Sequence, residues 1–151
     1  IRMSVGVDSV TRVSLRSNPD YLPRGRRIIA CLGDSVGMDQ QEIDEAKLVL
    51  TEACANAITH GSPQGEMDCV HIIFRAADGA VMADVTDFGG LTDPPDQANS
   101  ASQGFGVRLM RMLADSVQFI RHRAGLTVRF TKYAKHTRRI EAPIIEFTQR
   151  N

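Results

Sequence analysis

No charge of either sign prevails in this chain. Lysine and arginine number 18, aspartate and glutamate 18, and the formal net charge is zero. A general nucleic-acid binder needs surplus cations against phosphate, so direct nucleic-acid binding is not expected. No apolar run approaches the ~20 residues that a membrane span requires. The opening Ile1-Arg2-Met3-Ser4 lacks the apolar stretch and cleavage signature of a secretory signal. A membrane or secretory role is therefore disfavoured, and the cytoplasm is the expected location. Cysteine is scarce. Cys31, Cys54 and Cys69, odd in number and widely spaced, make neither a disulfide framework nor a paired metal knuckle. They read as small buried apolar residues. Internal repeats and low-complexity tracts are absent.

What is present is an ordinary globular balance. The 151 residues suit one domain, and 42% of them are hydrophobic and 24% charged. Disorder over most of the length is excluded on that composition. The zero net charge hides a split. Residues 1–103 hold 8 basic and 15 acidic side chains, a balance of −7, and residues 104–151 hold 10 and 3, a balance of +7. Such a split suits a ligand with phosphates at one end and a cation held by acidic groups, and it equally suits a solvated basic tail.

The alternation in Thr11-Arg12-Val13-Ser14-Leu15-Arg16 predicts a strand within residues 1–18. Asn18-Pro19-Asp20 signals a helix start, and the helix is predicted from Pro19 to Ser35 with Tyr21, Leu22, Ile28, Ile29 and Leu32 as its apolar side. Gly37 ends it. Asp39 with Glu42 forms a capping box for a second helix over 40–60, in which Ile43, Ala46, Val49, Leu50, Ala53 and Ala57 recur at helical spacing. Strands over 69–76 and 81–86 meet at Asp78-Gly79 as a hairpin. Residues 89–106 form a long loop rich in Gly, Pro, Asp, Asn and Ser, of the kind that serves as a lid or stays disordered. A short helix over 107–114 and strands over 117–122 and 127–133 follow. The order predicts an α+β fold, a two-layer sandwich of a mostly antiparallel sheet with its helices on one face.

Three short motifs carry chemistry. In Glu52-Ala53-Cys54-Ala55-Asn56, Glu52 and Asn56 stand four apart and share a helix face. A carboxylate beside an amide oxygen can help hold Mg²⁺ and position a hydroxyl or water; by spacing alone the pair is as readily an exposed polar pair. In Asp84-Val85-Thr86-Asp87-Phe88-Gly89-Gly90 a strand delivers an acidic residue and then two glycines, which permit close approach. A carboxylate there can accept a hydrogen bond from an exocyclic amine, and equally the segment is a strand ending in a turn. In Gln103-Gly104-Phe105-Gly106-Val107-Arg108 two glycines lead into a helix, whose first amides and positive dipole end make a phosphate cradle. It is not a Walker loop, since no Gly-Lys-Ser/Thr follows, and no parallel strand–helix–strand unit makes it a Rossmann fingerprint.

Taken in order, the three motifs resemble the N box and the two glycine boxes of the GHKL ATPase superfamily, which includes histidine kinases, chaperones and gyrase. Within it the resemblance is to the anti-sigma factor/serine-protein kinase family of bacterial partner-switching systems. Leu48-Val49-Leu50-Thr51-Glu52-Ala53 leading to Asn56-Ala57-Ile58-Thr59-His60-Gly61 supports it, as do Gly106-Val107-Arg108-Leu109-Met110 and Leu113-Ala114-Asp115-Ser116-Val117. The resemblance covers residues 10–133 and implies a histidine kinase-like ATPase domain over 1–134 with a tail over 135–151. It implies ATP and Mg²⁺ as ligands. Asn56 would coordinate the metal, Glu52 would be the general base for a serine hydroxyl, and Asp87 would bind the adenine amine with Gly89 shaping that pocket. Gly104 and Gly106 with the amides of Val107 and Arg108 would hold the phosphates. Thr127 would lie beneath the adenine, and His60 matches a family histidine with a structural role.

The implied function is an anti-sigma factor that sequesters a sigma factor and phosphorylates an anti-anti-sigma (STAS-type) protein on serine, acting as a homodimer. The alternative is the same fold holding nucleotide as a structural ligand and sequestering a partner without catalysis. Three departures bear on turnover. Ala101-Ser102-Gln103 before Gly104 lacks the basic residue of some relatives, Gly125-Leu126-Thr127 inserts a leucine where relatives have Gly-Thr, and the tail runs past the family's usual end.

Overall fold

A computed structural model of the chain describes residues 9–90 and 104–138. One sheet of five strands is antiparallel throughout, in the order β1-β2-β3-β5-β4. β1 is Ser9–Arg16, β2 Cys69–Ala77, β3 Ala80–Thr86, β4 Ser116–His122 and β5 Gly125–Tyr133. α1 (Leu22–Ser35) and α2 (Gln40–His60) lie between β1 and β2 in the chain, α3 (Phe105–Leu113) precedes β4, and a single turn, α4 (Lys135–Arg138), follows β5. The sandwich expected from the sequence is the fold observed.

Alternation along the strands decides which face meets the helices. Val13 and Leu15 of β1, Val70, Ile72 and Phe74 of β2, Val81, Ala83 and Val85 of β3, and Leu126, Val128 and Phe130 of β5 are all buried in one core with Ile29, Val49, Leu50, Ala53, Cys54 and Met110 of the helices. The other face carries Asp84, held bidentately by Arg129 (Nε–Oδ1 2.7 Å, NH2–Oδ2 2.8 Å).

Local chemistry explains the element boundaries. The capping box of α2 is complete: the Glu42 amide donates to Asp39 Oδ1 at 2.8 Å, and the Asp39 amide donates to Glu42 Oε1 at 3.1 Å. The β2–β3 hairpin turns through Asp78 (φ 49) and Gly79 (φ 72), both left-handed, as a two-residue turn between twisted strands demands. Gly37 (φ 84) takes the left-handed position just past α1.

Several expectations need correction. The helix expected over 19–35 is split into a 3₁₀ turn, Pro19–Tyr21, and α1 proper from Leu22. Tyr21 is exposed rather than part of the apolar side; Leu22, Gly25, Ile29 and Gly33 of α1 are buried, and Ile28 and Leu32 pack half-buried against the same core. The third helix starts at Phe105, because Gly104 is still extended (ψ 163) and caps it. Of the cysteines only Cys54 is buried. Cys31 lies on the outer side of α1 and is exposed, and Cys69, at the start of β2, is half-buried. The lid expected over 89–106 falls mainly outside the described residues, as does the tail beyond 138. The start of that tail is docked: the Lys135 amide donates to Glu42 Oε2 at 2.8 Å, and Ala134 is buried.

Candidate functional site

The C-terminal half of α2 is the spine of the site. Glu52 and Asn56 sit one turn apart on it, both half-buried, and Gly61 caps it with its amide donating to the Ala57 carbonyl at 2.9 Å. Two distant segments reach this spine at different heights.

At the Gly61 end comes the segment after β3. Asp87 is 5% exposed, and its amide donates to the Leu126 carbonyl at 3.0 Å. Its Oδ1 accepts from the Gly89 amide at 3.1 Å and the Leu126 amide at 3.3 Å. Three glycines make the room for this carboxylate. A Cβ on Gly61 would fall 2.1 Å from Asp87 Cγ, and one on Gly125 2.2 Å from the Asp87 carbonyl oxygen. A Cβ on Gly89 would fall 2.6 Å from the Gly61 Cα. Side chains at these positions would collide with backbone or with the carboxylate itself. Both described bonds fall on Oδ1, which leaves Oδ2 as the acceptor for an incoming donor.

At the Glu52 end comes the first turn of α3. A Cβ on Gly106 would lie 2.4 Å from Glu52 Oε2, so the carboxylate occupies the space that the missing side chain leaves. Gly104, the N-cap, makes no side-chain cap bond, and nothing stands within 4 Å of its absent Cβ. Among the described residues no side chain caps the opening amides of α3, and Val107 is buried and Arg108 exposed. An uncapped helix N-terminus attracts anions through its donors and its dipole.

Between the two ends, Asn56 Nδ2 is buried with no hydrogen-bond partner among the described residues. A buried unsatisfied amide is uncommon in a structural position and fits a polar ligand group. From Glu52 to Gly61 the helix rises about 13.5 Å at ~1.5 Å per residue, so the amine-accepting end and the anion-binding end are separated along one rod.

The structure therefore brings together Glu52 with Gly106, and Asp87 with Gly89, on a helix that also carries Asn56. It does not bring in Thr127. That residue pairs with Thr86 across the strands, hydroxyl to hydroxyl at 2.7 Å. Alternation puts both threonines on the face away from the helices, and Leu126 takes the core-facing position instead. With Leu126 in the core-facing position directly after Gly125, Thr127 falls on the opposite face of β5. His60 ends α2 and is exposed, outside these contacts. Gly61 and Gly125 were missed as site residues. A glycine after a helix and one opening a strand are ordinary punctuation, and only the position of Asp87 between them reveals their part.

Among the described residues no group of three His, Cys, Asp or Glu side chains is placed to hold a metal, and no helix is long and apolar enough to cross a membrane. An open groove of about 450 Å³ lies apart from the site, on α1 and α2, lined by Pro23, Arg26, Arg27, Ala30, Cys31 and Lys47.

The chain resembles known proteins over most of its length. The chain is similar to the serine-protein kinase RsbW of Bacillus pumilus, 27% identical over 151 aligned residues that cover 90% of this chain and 92% of the relative. The serine-protein kinase RsbW of Bacillus subtilis is 28% identical over 130 residues, covering 78% and 81%. Among solved structures, the RsbU and RsbW domains of a Mycobacterium tuberculosis protein share the fold with a TM-score of 0.63 at 18% identity, over 83% of this chain and 32% of that one. A blue-light activated histidine kinase from Erythrobacter litoralis does so with a TM-score of 0.54 at 18% identity, over 80% and 63%. The histidine kinase-like ATPase domain family matches residues 15–132, a span that holds both glycine-lined contacts and the α2 spine between them, and the chain belongs to that family.

Proposed function

We propose that this chain is an ATP-binding anti-sigma factor with protein-serine kinase activity. It would hold a sigma factor and phosphorylate an anti-anti-sigma protein on serine. The observation that carries the reading is the seating of Glu52 against Gly106. A carboxylate stands at the mouth of an uncapped helix, which is where an attacking hydroxyl and a terminal phosphate must meet.

The chemistry asked of the protein is mostly placement and charge neutralisation. The adenine amine donates to Asp87 Oδ2, in a slot kept open by Gly61, Gly89 and Gly125. The phosphates run along α2 to the first turn of α3, where the amides of Val107 and Arg108 meet their oxygens. Glu52 accepts the proton of the serine hydroxyl as its oxygen attacks the γ-phosphorus. The bond to the β–γ bridging oxygen breaks, and ADP departs. The Asn56 amide oxygen would help hold Mg²⁺, which would neutralise phosphate charge. Thr127 has no part in this scheme.

The names and identities of the Bacillus relatives support the choice of serine as acceptor. The groove with Arg26, Arg27 and Lys47 offers a cationic surface for an acidic partner segment. A cytoplasmic homodimer completes the reading.

The test is incubation of purified protein with Mg-ATP and the cognate small antagonist, followed by mass spectrometry for phosphoserine. Glu52→Ala should slow transfer on the order of 10²–10⁴-fold and spare ATP affinity, whereas Asn56→Ala should weaken Mg-ATP binding. ATP binding without any phosphoserine would leave the non-catalytic binding module as the function. Absence of calorimetric heat with millimolar Mg-ATP would remove the nucleotide reading altogether.

A further inference from the structure

Lys132 is 2% exposed on β5, on the strand face that sends Leu126, Val128 and Phe130 toward the helices. An ammonium in such surroundings is costly unless it is paired and hydrogen-bonded. Its Nζ donates to Glu45 Oε2 at 2.7 Å and to the Leu113 carbonyl at 2.6 Å. The other oxygen of Glu45 accepts from Gln41 Nε2 at 3.0 Å. Leu113 is the last residue of α3, so its carbonyl is one of those left without an intrahelical partner. A cation there also complements the negative end of the helix dipole.

The opposite end of α3 is the one that carries the site. Glu45 and Glu52 are separated by the same number of residues on α2 as Gly106 and Leu113 on α3. α3 therefore runs opposite to α2, with an α2 carboxylate serving each of its ends: Glu52 at Gly106 directly, Glu45 at Leu113 through Lys132. Replacing a buried ion pair such as Lys132 with Glu45 by two apolar side chains is often no less stable, since the pair returns little beyond its desolvation cost. What the ammonium adds is a directional tie. A short helix moves along its axis as a body, so a shift at Leu113 reaches Gly106 undiminished, and shifts on the order of 1 Å are enough to spoil a reacting geometry.

We propose that Lys132 is a positioning residue for phosphoryl transfer: through Glu45 and the Leu113 carbonyl it sets how far α3 stands along α2, and so holds the opening amides of α3 level with Glu52. This deepens the proposed kinase reading and rests on it. The tie acts on the phosphate end alone, because Asp87 and its glycines lie at the other end of α2.

The test is calorimetric affinity for ATP and for adenosine, compared between wild type and the double variant Lys132→Met with Glu45→Leu, which removes the tie without stranding a charge. The double variant is expected to bind adenosine within about twofold of wild type, while its preference for ATP over adenosine falls about tenfold, the scale of a misplaced helix-terminus contact. Lys132→Arg, which keeps donors for both acceptors, is expected to restore most of that preference. A merely structural role would lower the unfolding temperature and leave the preference unchanged, and that result overturns the proposal. If the double variant does not fold, Lys132→Met takes its place, since Glu45 is partly exposed and keeps solvent, with a reduced ATP preference supporting the tie and an unchanged one overturning it. Failure of the wild type to bind ATP overturns the proposed function and the tie with it, whereas normal ATP binding with an indifferent double variant overturns the tie alone.

Discussion

Gly106→Ala should separate stability from activity in opposite directions. The position lies in the first turn of α3, where alanine is a better helix former than glycine by up to about 1 kcal/mol. The new Cβ would lie 2.4 Å from Glu52 Oε2 and 3.4 Å from Glu52 Cδ, and it meets no backbone atom. The obstacle is the far end of a flexible side chain, so the clash is relieved by rotation of Glu52 into solvent, to which that residue is already partly open. The fold should therefore lose nothing, and a gain of about 1 kcal/mol would raise the midpoint of thermal unfolding by about 2–4 °C. The carboxylate, however, leaves the position from which it serves the serine hydroxyl. Loss of a positioned general base costs on the order of 10²–10⁴ in rate. Phosphoserine formation and scanning calorimetry on the same preparations measure the two quantities. A double-mutant cycle with Glu52→Ala isolates the cause: once Glu52 is gone, adding Gly106→Ala should cost nothing further. If Gly106→Ala slows transfer as much without Glu52 as with it, or leaves transfer intact, the placement of the base argued here is wrong.

Three further outcomes follow from the geometry. Asp87→Asn keeps an oxygen for the Gly89 and Leu126 amides, but its nitrogen replaces the acceptor Oδ2, so the fold should persist and adenosine affinity should fall about tenfold or more, read by calorimetry. The hydrogen bond from Lys132 holds the Glu45 carboxyl below its ordinary value of 4.5, so the folded-state value lies under the unfolded one. That contribution to stability is complete above pH 4.5 and is lost as pH falls through the folded value; urea unfolding of Glu45→Gln should show a shallower loss below pH 4.5 than wild type. Burial pushes the Cys54 thiol up to about 12, whereas Cys31 is exposed, so at pH 8 a thiol reagent followed by mass spectrometry should label Cys31 promptly and Cys54 only after unfolding.

Local rules made much of this protein legible before any coordinates. Asp39 and Glu42 announced α2 because a capping box is a contact between near neighbours, and Asp78-Gly79 announced a hairpin because the left-handed turn is written in two residues. The apolar periodicity of 40–60 and the alternation of the strands gave the layers, and the order of the three motifs pointed to the family. What tertiary structure alone decided is where segments far apart in the chain come within van der Waals reach. Asp87 is enclosed because Gly125 passes too close to its backbone, and Gly61 too close to its carboxylate, for any Cβ, a fact about their separation in space. Thr127 faces away from the helices because successive strand residues alternate between faces, and the pairing with Thr86 reveals which face it takes. Lys132, one basic residue among 18 on paper, proved buried between α2 and α3 because its register opposite Val81 sends it into the helix layer. Period and propensity are properties of neighbouring residues, whereas close approach and facing depend on how whole elements pack, and the site is built from the second kind.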